Sequence, residues 1–224
     1  MKASREDLQQ VYELLLQHFG PRGWWPGDSA FEIIVGAVLT QAVAWKNVEK
    51  ALTAMKEAGV FSVQAILQTP DDELSALIRP ALYHRQKTRK LKEIMYYVEH
   101  EYQGNIHNMF QEPMHILREE LLSLWGIGPE TADSILLYAG NYPIFVVDAY
   151  TRRIFSRLGW VAETISYHEL QQAIQERLPE DITIYNEYHA LLVAQGASYC
   201  KKTQPFCNDC PLSQICRYFI SLQE

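Results

Sequence analysis

Apolar residues recur at helical spacing along nearly the whole chain. Leu8, Val11, Tyr12, Leu15 and Phe19 predict a helix over residues 5–19, stopped by Gly20-Pro21. Residues 30–42 predict a second helix, and its dense apolar run from Phe31 to Ala42 marks it as central and buried. A third opens at Asn47 and ends at Gly59. Thr69-Pro70, followed by Asp71, Asp72 and Glu73, reads as a helix start: Thr69 as N-cap, Pro70 at the first helical position, acids in the first turn. That run ends near Arg79-Pro80, and a basic helix over 84–102 follows. Further helices are expected from Pro113 to Leu124, over a stripe of Thr131, Ile135, Leu136 and Ala139, and over 148–158, about 167–177 and 185–199. No stretch alternates as a strand does, so the expected fold class is all-α. There is no internal repeat or long linker, and the short loops suit a compact two-lobed body.

Composition bounds the function only loosely. A chain of 224 residues makes one or two domains with a sizeable core. Its 48% hydrophobic and 21% charged residues are those of a soluble globular protein. The start turns charged at Arg5-Glu6-Asp7, where a signal peptide needs its apolar region, and the strongly apolar run Ile33 to Leu39 is too short to span a bilayer. The expectation is a cytosolic protein with no membrane partner. A net charge of −7 argues against indiscriminate coating of a polyanion, but local distribution decides. Arg85, Lys87, Arg89, Lys90 and Lys92 crowd residues 82–92 without an acid. Arg152, Arg153 and Arg157 follow Asp148, and Lys201 and Lys202 sit among the cysteines. Each cluster alone reads as a solvated helix face; beside the motifs below, each becomes a candidate phosphate contact.

The candidate chemistry centres on Leu124-Trp125-Gly126-Ile127-Gly128-Pro129-Glu130-Thr131-Ala132. Two glycines bracket one apolar residue between two helical runs, which suits a tight helix-to-helix turn whose N–H groups form a small anion site. Downstream, Ile144-Phe145-Val146-Val147 leads into Asp148, a carboxylate that opens a helix. Such an aspartate is ordinarily an N-cap, and the helix dipole favours its ionised form. All four cysteines fall near the end, at Cys200, Cys207, Cys210 and Cys216, spaced C-x6-C-x2-C-x5-C. In a cytosolic chain such clustering indicates metal rather than disulfides, and thiolates suit either zinc or an iron–sulfur cluster. The paired Trp24-Trp25 lies in a loop between glycines and a proline.

Together these motifs resemble the helix-hairpin-helix DNA glycosylases of the endonuclease III family, whose hairpin reads L-x-G-x-G-x-x-T-A and whose catalytic aspartate follows a valine at the next helix start. The resemblance covers almost the whole chain. It implies a two-lobed helix-hairpin-helix glycosylase fold. One helical domain would span 22–133; the second would comprise 1–21 and 134–224 and carry a [4Fe-4S] cluster loop at 200–216. It implies Asp148 as the catalytic carboxylate and Cys200, Cys207, Cys210 and Cys216 as cluster ligands. It places Gly126, Ile127, Gly128, Lys201 and Lys202 against damaged double-stranded DNA. Gln41 matches the glutamine that fills the space of an extruded nucleotide, and Leu82 or Tyr83 matches the apolar wedge on the opposite strand. Bifunctional members carry a lysine where this chain has Glu130, so the resemblance implies a monofunctional enzyme that uses water as nucleophile. Pro129 also departs from the pattern and lacks an N–H for phosphate.

Residues 22–50 and 120–158 are similar to the branch typified by 3-methyladenine DNA glycosylase III. There, aromatics at the positions of Trp24 and Trp45 sandwich an extruded base, Trp25 lies beside them, and Glu130 is a further pocket candidate. Indoles favour an electron-poor alkylpurine. The known member of that branch lacks the cysteine loop. The expected substrate is therefore an alkylated purine such as 3-methyladenine. The rivals are an activity on oxidised pyrimidines or mismatched bases, and a non-catalytic iron–sulfur DNA-binding module. A monomer in a bacterial or archaeal cytosol is expected.

Overall fold

The helix α2, Ala30–Leu39, is buried from Glu32 to Leu39, as its unbroken apolar run requires. It belongs to an all-helical architecture in the computed structural model of the protein, which describes residues 1–223. In chain order the helices are α1 Arg5–Phe19, α2, α3 Trp45–Glu57, α4 Val63–Gln68, α5 Asp71–Leu77, α6 His84–Tyr102, α7 Ile106–Met109, α8 Met114–Ser123, α9 Pro129–Ser134, α10 Ala149–Arg157, α11 Tyr167–Gln175, α12 Ile182–Ser198 and α13 Arg217–Ile220. No strand occurs among the described residues, and no helix there is long and apolar enough to cross a membrane.

Two compact units share these elements: residues 1–24 with 143–224, and residues 25–142. The sequence placed the second boundary at 133/134. It lies later because α9 does not end the hairpin helix. One turn of π-helix, Ile135–Ala139, prolongs it, with Gly140 donating to the Ile135 carbonyl.

In the 25–142 unit, α2 packs against α3, α6, α9 and the π turn. A buried acid enters this apolar setting at Glu32, where Lys56 approaches one carboxylate oxygen at 2.6 Å. One local expectation is corrected. Thr69 is not the N-cap of α5; its hydroxyl donates back to Ala65 at the end of α4, and Pro70 takes the cap position. The Ala65 carbonyl, which already accepts the Thr69 N–H, takes the hydroxyl as well.

In the other unit, α12 packs against α1 and α10. Leu8, Val11 and Leu15 face a core containing Tyr188, Leu191, Leu192, Ile154 and Phe155. Residues 144–147 run buried and non-helical. Such a segment needs partners for its backbone, and α11 supplies them: Gln175 Oε1 accepts from Phe145 N, and Gln171 Nε2 donates to Phe145 O at 2.7 Å. This tether leads directly into Asp148.

Candidate functional site

The hairpin is built inside the 25–142 unit. α8 ends at Ser123, the chain turns through Leu124–Gly128, and α9 begins at Pro129. Gly126 has φ +80°, so the first glycine supplies the left-handed residue that the turn needs. Gly128 is different: φ −96° and ψ 176° are open to any residue, but a Cβ added there would meet open space. Its backbone is thus approachable from outside. Ile127 is buried between them, so only its backbone is presented at the turn. Glu130 is exposed in the first turn of α9.

Gln41 is tied to this hairpin. Its Nε2 donates to Gly126 O at 3.2 Å and to Thr131 Oγ1 at 2.8 Å, while Lys90 Nζ donates to its Oε1 at 2.5 Å. The stem of Lys90 lies across Gly126, where a Cβ would come within 2.6 Å of its Cε. Arg89 stacks on the exposed Trp125, with its guanidinium 3.8 Å from the ring centroid.

The basic run at 82–92 is therefore only partly turned outward. Lys87 is 2% exposed and donates to Leu39 O and Ala81 O at 2.8 and 2.7 Å. Burial, with Lys90 nearby, pushes its pKa down to about 8. Lys92 binds Thr69 O and Asp71. Buried carbonyls at helix ends need donors, and three of these lysines are spent on internal acceptors; Arg85 and Arg89 remain exposed. Lys87 also braces the turn just before it. Leu82 and Tyr83 stand 51% and 62% exposed, with φ +54° and +45°. Left-handed φ at two successive bulky residues is a strained arrangement that typically marks a functional turn.

Trp25 and Trp45 meet edge to face, with centroids 5.3 Å apart and planes at 90°. Trp25 also touches Tyr138 of the π turn, 5.2 Å between centroids. The close approach is possible because Gly36 faces Trp25 and Trp45 without a Cβ. No slot exists between these two indoles. Trp24 belongs to the other unit.

In that unit Asp148 is the N-cap of α10 and 8% exposed. Oδ1 accepts from Thr151 N at 2.7 Å and Thr151 Oγ1 at 2.8 Å. Oδ2 faces Nε2 of His189 on α12 at 3.8 Å. Burial lowers the His189 pKa, and the Asp148 charge opposes that. The sequence reading missed both Thr151 and His189. The signal for His189 was a polar ring inside the apolar run Tyr188–Val193.

All four cysteines are free and line one pocket with Arg157 and Gln195. Two N–H donors point at sulfur: Arg157 Nη1 to Cys200 at 3.3 Å and Gln195 Nε2 to Cys210 at 3.0 Å. Burial pushes the thiols of Cys207, Cys210 and Cys216 up. Among the described residues, no three Cys, His, Asp or Glu side chains are grouped to hold a metal ion. Arg153 and Arg157, expected on phosphates, instead brace this loop through the carbonyls of Gly196, Cys200, Lys201 and Lys202. Lys201 and Lys202 are exposed, with Lys201 Nζ 4.4 Å from the Phe206 ring centroid.

Comparison with known proteins agrees with this architecture. Residues 35–180 match the HhH-GPD superfamily base excision DNA repair protein family. The chain is 42% identical over 213 residues to a Methanocaldococcus jannaschii protein provisionally named a DNA repair glycosylase, covering 94% of this chain and 96% of that one. It is 30% identical over 189 residues to endonuclease III of Thermotoga maritima, covering 84% and 83%. A solved endonuclease III in a non-covalent DNA complex superposes with TM-score 0.85 at 22% identity, covering 99% of each chain. The H. pylori 3-methyladenine DNA glycosylase bound to 1,N6-ethenoadenine superposes with TM-score 0.72 at 29% identity, covering 84% of this chain and 94% of that one. The chain belongs to the HhH-GPD superfamily of base excision DNA repair proteins, as an endonuclease III-like DNA glycosylase.

Proposed function

We propose that this glycosylase is monofunctional, acts as a monomer on duplex DNA, and excises an alkylated purine such as 3-methyladenine with Asp148 as its catalytic carboxylate. The observation that carries the reading is the state of Asp148. It is nearly buried at a helix N-terminus, with Oδ1 held by Thr151. A carboxylate so fixed can stabilise a cation-like sugar without reorganising. The reaction breaks the C1′–N bond, a water oxygen bonds to C1′, and the water proton is lost to the carboxylate or solvent. A cationic 3-methyladenine departs as a neutral base, so its departure needs no acid.

Glu130 occupies the position of the strand-cutting lysine, so no Schiff base forms there. Gly128, open to close approach, suits a strand backbone, and the exposed Leu82-Tyr83 turn suits a wedge. The H. pylori structure supports the purine assignment. Because Trp25 and Trp45 pack edge to face, a base would stack on the outside of that pair, not between its rings.

Cys200, Cys207, Cys210 and Cys216 are proposed to hold a [4Fe-4S] cluster. The fit is in the donor set. Four thiols share one pocket, and N–H groups of Arg157 and Gln195 are aimed at sulfur as thiolates require. The C-x6-C-x2-C-x5-C spacing, similar to the cluster loop of endonuclease III-type glycosylases, favours the cluster over zinc. When bound, the cluster supplies a structural crosslink that fixes the loop of Lys201 and Lys202 for phosphate contact.

A second reading is an endonuclease III-like activity on oxidised pyrimidines, favoured by the T. maritima relative and the cysteine loop. Duplexes carrying 3-methyladenine, thymine glycol or a T·G mismatch separate the two. Release of 3-methyladenine without strand cleavage or borohydride-trapped adduct is expected. Preferential cutting at thymine glycol overturns the proposal. Asp148→Asn is expected to abolish excision while retaining DNA binding.

A further inference from the structure

Asp148 has a buried polar neighbour on α12. His189 sits on α12, which packs against α10, and is only 5% exposed among Tyr188, Leu191 and Leu192. The two carboxylate oxygens of Asp148 are also treated differently. Oδ1 is locked by the backbone N–H and hydroxyl of Thr151, at 2.7 and 2.8 Å. Oδ2 looks at Nε2 of His189 across 3.8 Å. That is longer than a hydrogen bond, but contacts of catalytic groups often tighten only when substrate is bound.

We propose that His189 is a positioning residue for Asp148, presenting Nε2–H to Oδ2 and so fixing the plane of the carboxylate that Thr151 anchors from the other side. The inference rests on the reading of Asp148 as the catalytic carboxylate. Burial lowers the ring's pKa and so favours its neutral form, and neutrality suits the task. A protonated histidine, lysine or arginine at this place would cancel the negative charge that has to face a cation-like sugar. A neutral donor orients the oxygen and leaves the charge intact.

The test compares His189→Leu, His189→Gln and Asp148→Asn in the full-length protein. Single-turnover excision is measured on whichever of the 3-methyladenine, thymine glycol and T·G duplexes the wild type processes, with affinity for the same duplexes and thermal melting alongside. His189→Leu is expected to slow excision on the order of 10- to 100-fold, the penalty of a misplaced reacting group, with affinity within about twofold of wild type. His189→Gln, which keeps an N–H donor, is expected to recover most of the rate. A purely structural role would instead lower melting temperature and affinity together and be rescued by an apolar side chain. If His189→Leu fails to fold, His189→Gln is compared with His189→Met, and equal rates overturn the inference. A wild-type rate in His189→Leu with an inactive Asp148→Asn also overturns it and leaves the role of Asp148 standing. Excision surviving in Asp148→Asn defeats the underlying reading instead.

Discussion

Lys87 offers a quantitative test of how the turn at Leu82-Tyr83 is held. Its ammonium is 2% exposed and donates to Leu39 O, at the end of α2, and to Ala81 O, just before the turn. Hydrogen bonds from a charged donor stabilise by roughly 1.5–3 kcal/mol each, so the pair is worth about 3–6 kcal/mol gross. Against this stands the cost of burying the charge. The pKa is lowered to about 8 from an ordinary 10.5, a difference equivalent to roughly 3 kcal/mol. At pH 7 the two nearly offset, and Lys87→Met is expected to destabilise by only about 1–3 kcal/mol.

The pH dependence is more discriminating. Between about pH 8 and 10.5 the unfolded chain holds this proton and the folded protein does not, so stability rises with pH through that window. Below it both states are protonated and the burial cost is fully present. The neutral amine keeps two hydrogens for its two carbonyls. The stability gap between wild type and Lys87→Met should therefore widen by about 2–3 kcal/mol from pH 7 to pH 10. Urea unfolding of both proteins at the two pH values measures it, and titrations elsewhere cancel in the difference. A gap that stays constant or narrows would show that the lysine is not desolvated as described.

Other parts of the structure make equally specific demands. Arg118 binds the fully buried Asp133 through Nε at 2.7 Å and Nη2 at 3.2 Å; Arg118→Ala should cost about 3–5 kcal/mol in chemical denaturation, because a buried carboxylate loses its cation. A Cβ at Gly196 would fall on Tyr150, 2.6 Å from its Cβ and Cγ, so Gly196→Ala should destabilise by about 1–3 kcal/mol and pry α10 from α12. The buried His189 has a lowered pKa, so the unfolded chain binds the extra proton as pH falls below its ordinary value of about 6.5. Stability is then lost with acid, and His189→Gln should flatten that acid limb in melting experiments. The purified protein should absorb visible light as an iron–sulfur protein does, and Cys207→Ser should diminish that absorbance along with bound iron and sulfide.

What was legible in the sequence was what local chemistry determines. The unbroken apolar run of α2 announced a buried helix, and α2 is buried. The paired glycines announced a turn, although only Gly126 needs a positive φ. Asp148 at the head of a helix was read as an N-cap with a second task, and the cap is present. Thr69 was misread because a hydroxyl flanked by two helices serves either end, and the sequence does not say which.

The basic clusters were illegible for a deeper reason. A lysine or arginine on a helix has the same composition signal whether it meets a phosphate or a carbonyl of its own fold. Lys87 and Lys90 close over the ends of α2 and the hairpin, and Arg153 and Arg157 close over the cysteine loop. These acceptors, helix-end and loop carbonyls and the Gln41 amide, meet their cations only in the folded protein, which no linear spacing reveals. The same holds for His189, forty-one residues from Asp148 in sequence and 3.8 Å from it in space. Internal use of these cations bears on function. A base bonded to a neutral acceptor of its own fold keeps its charge but is occupied where a phosphate would bond. On the proposed reading, direct DNA contacts then fall to the hairpin, the Leu82-Tyr83 turn, Arg89, Lys201 and Lys202, and the salt dependence should be shallower than a count of lysines and arginines implies.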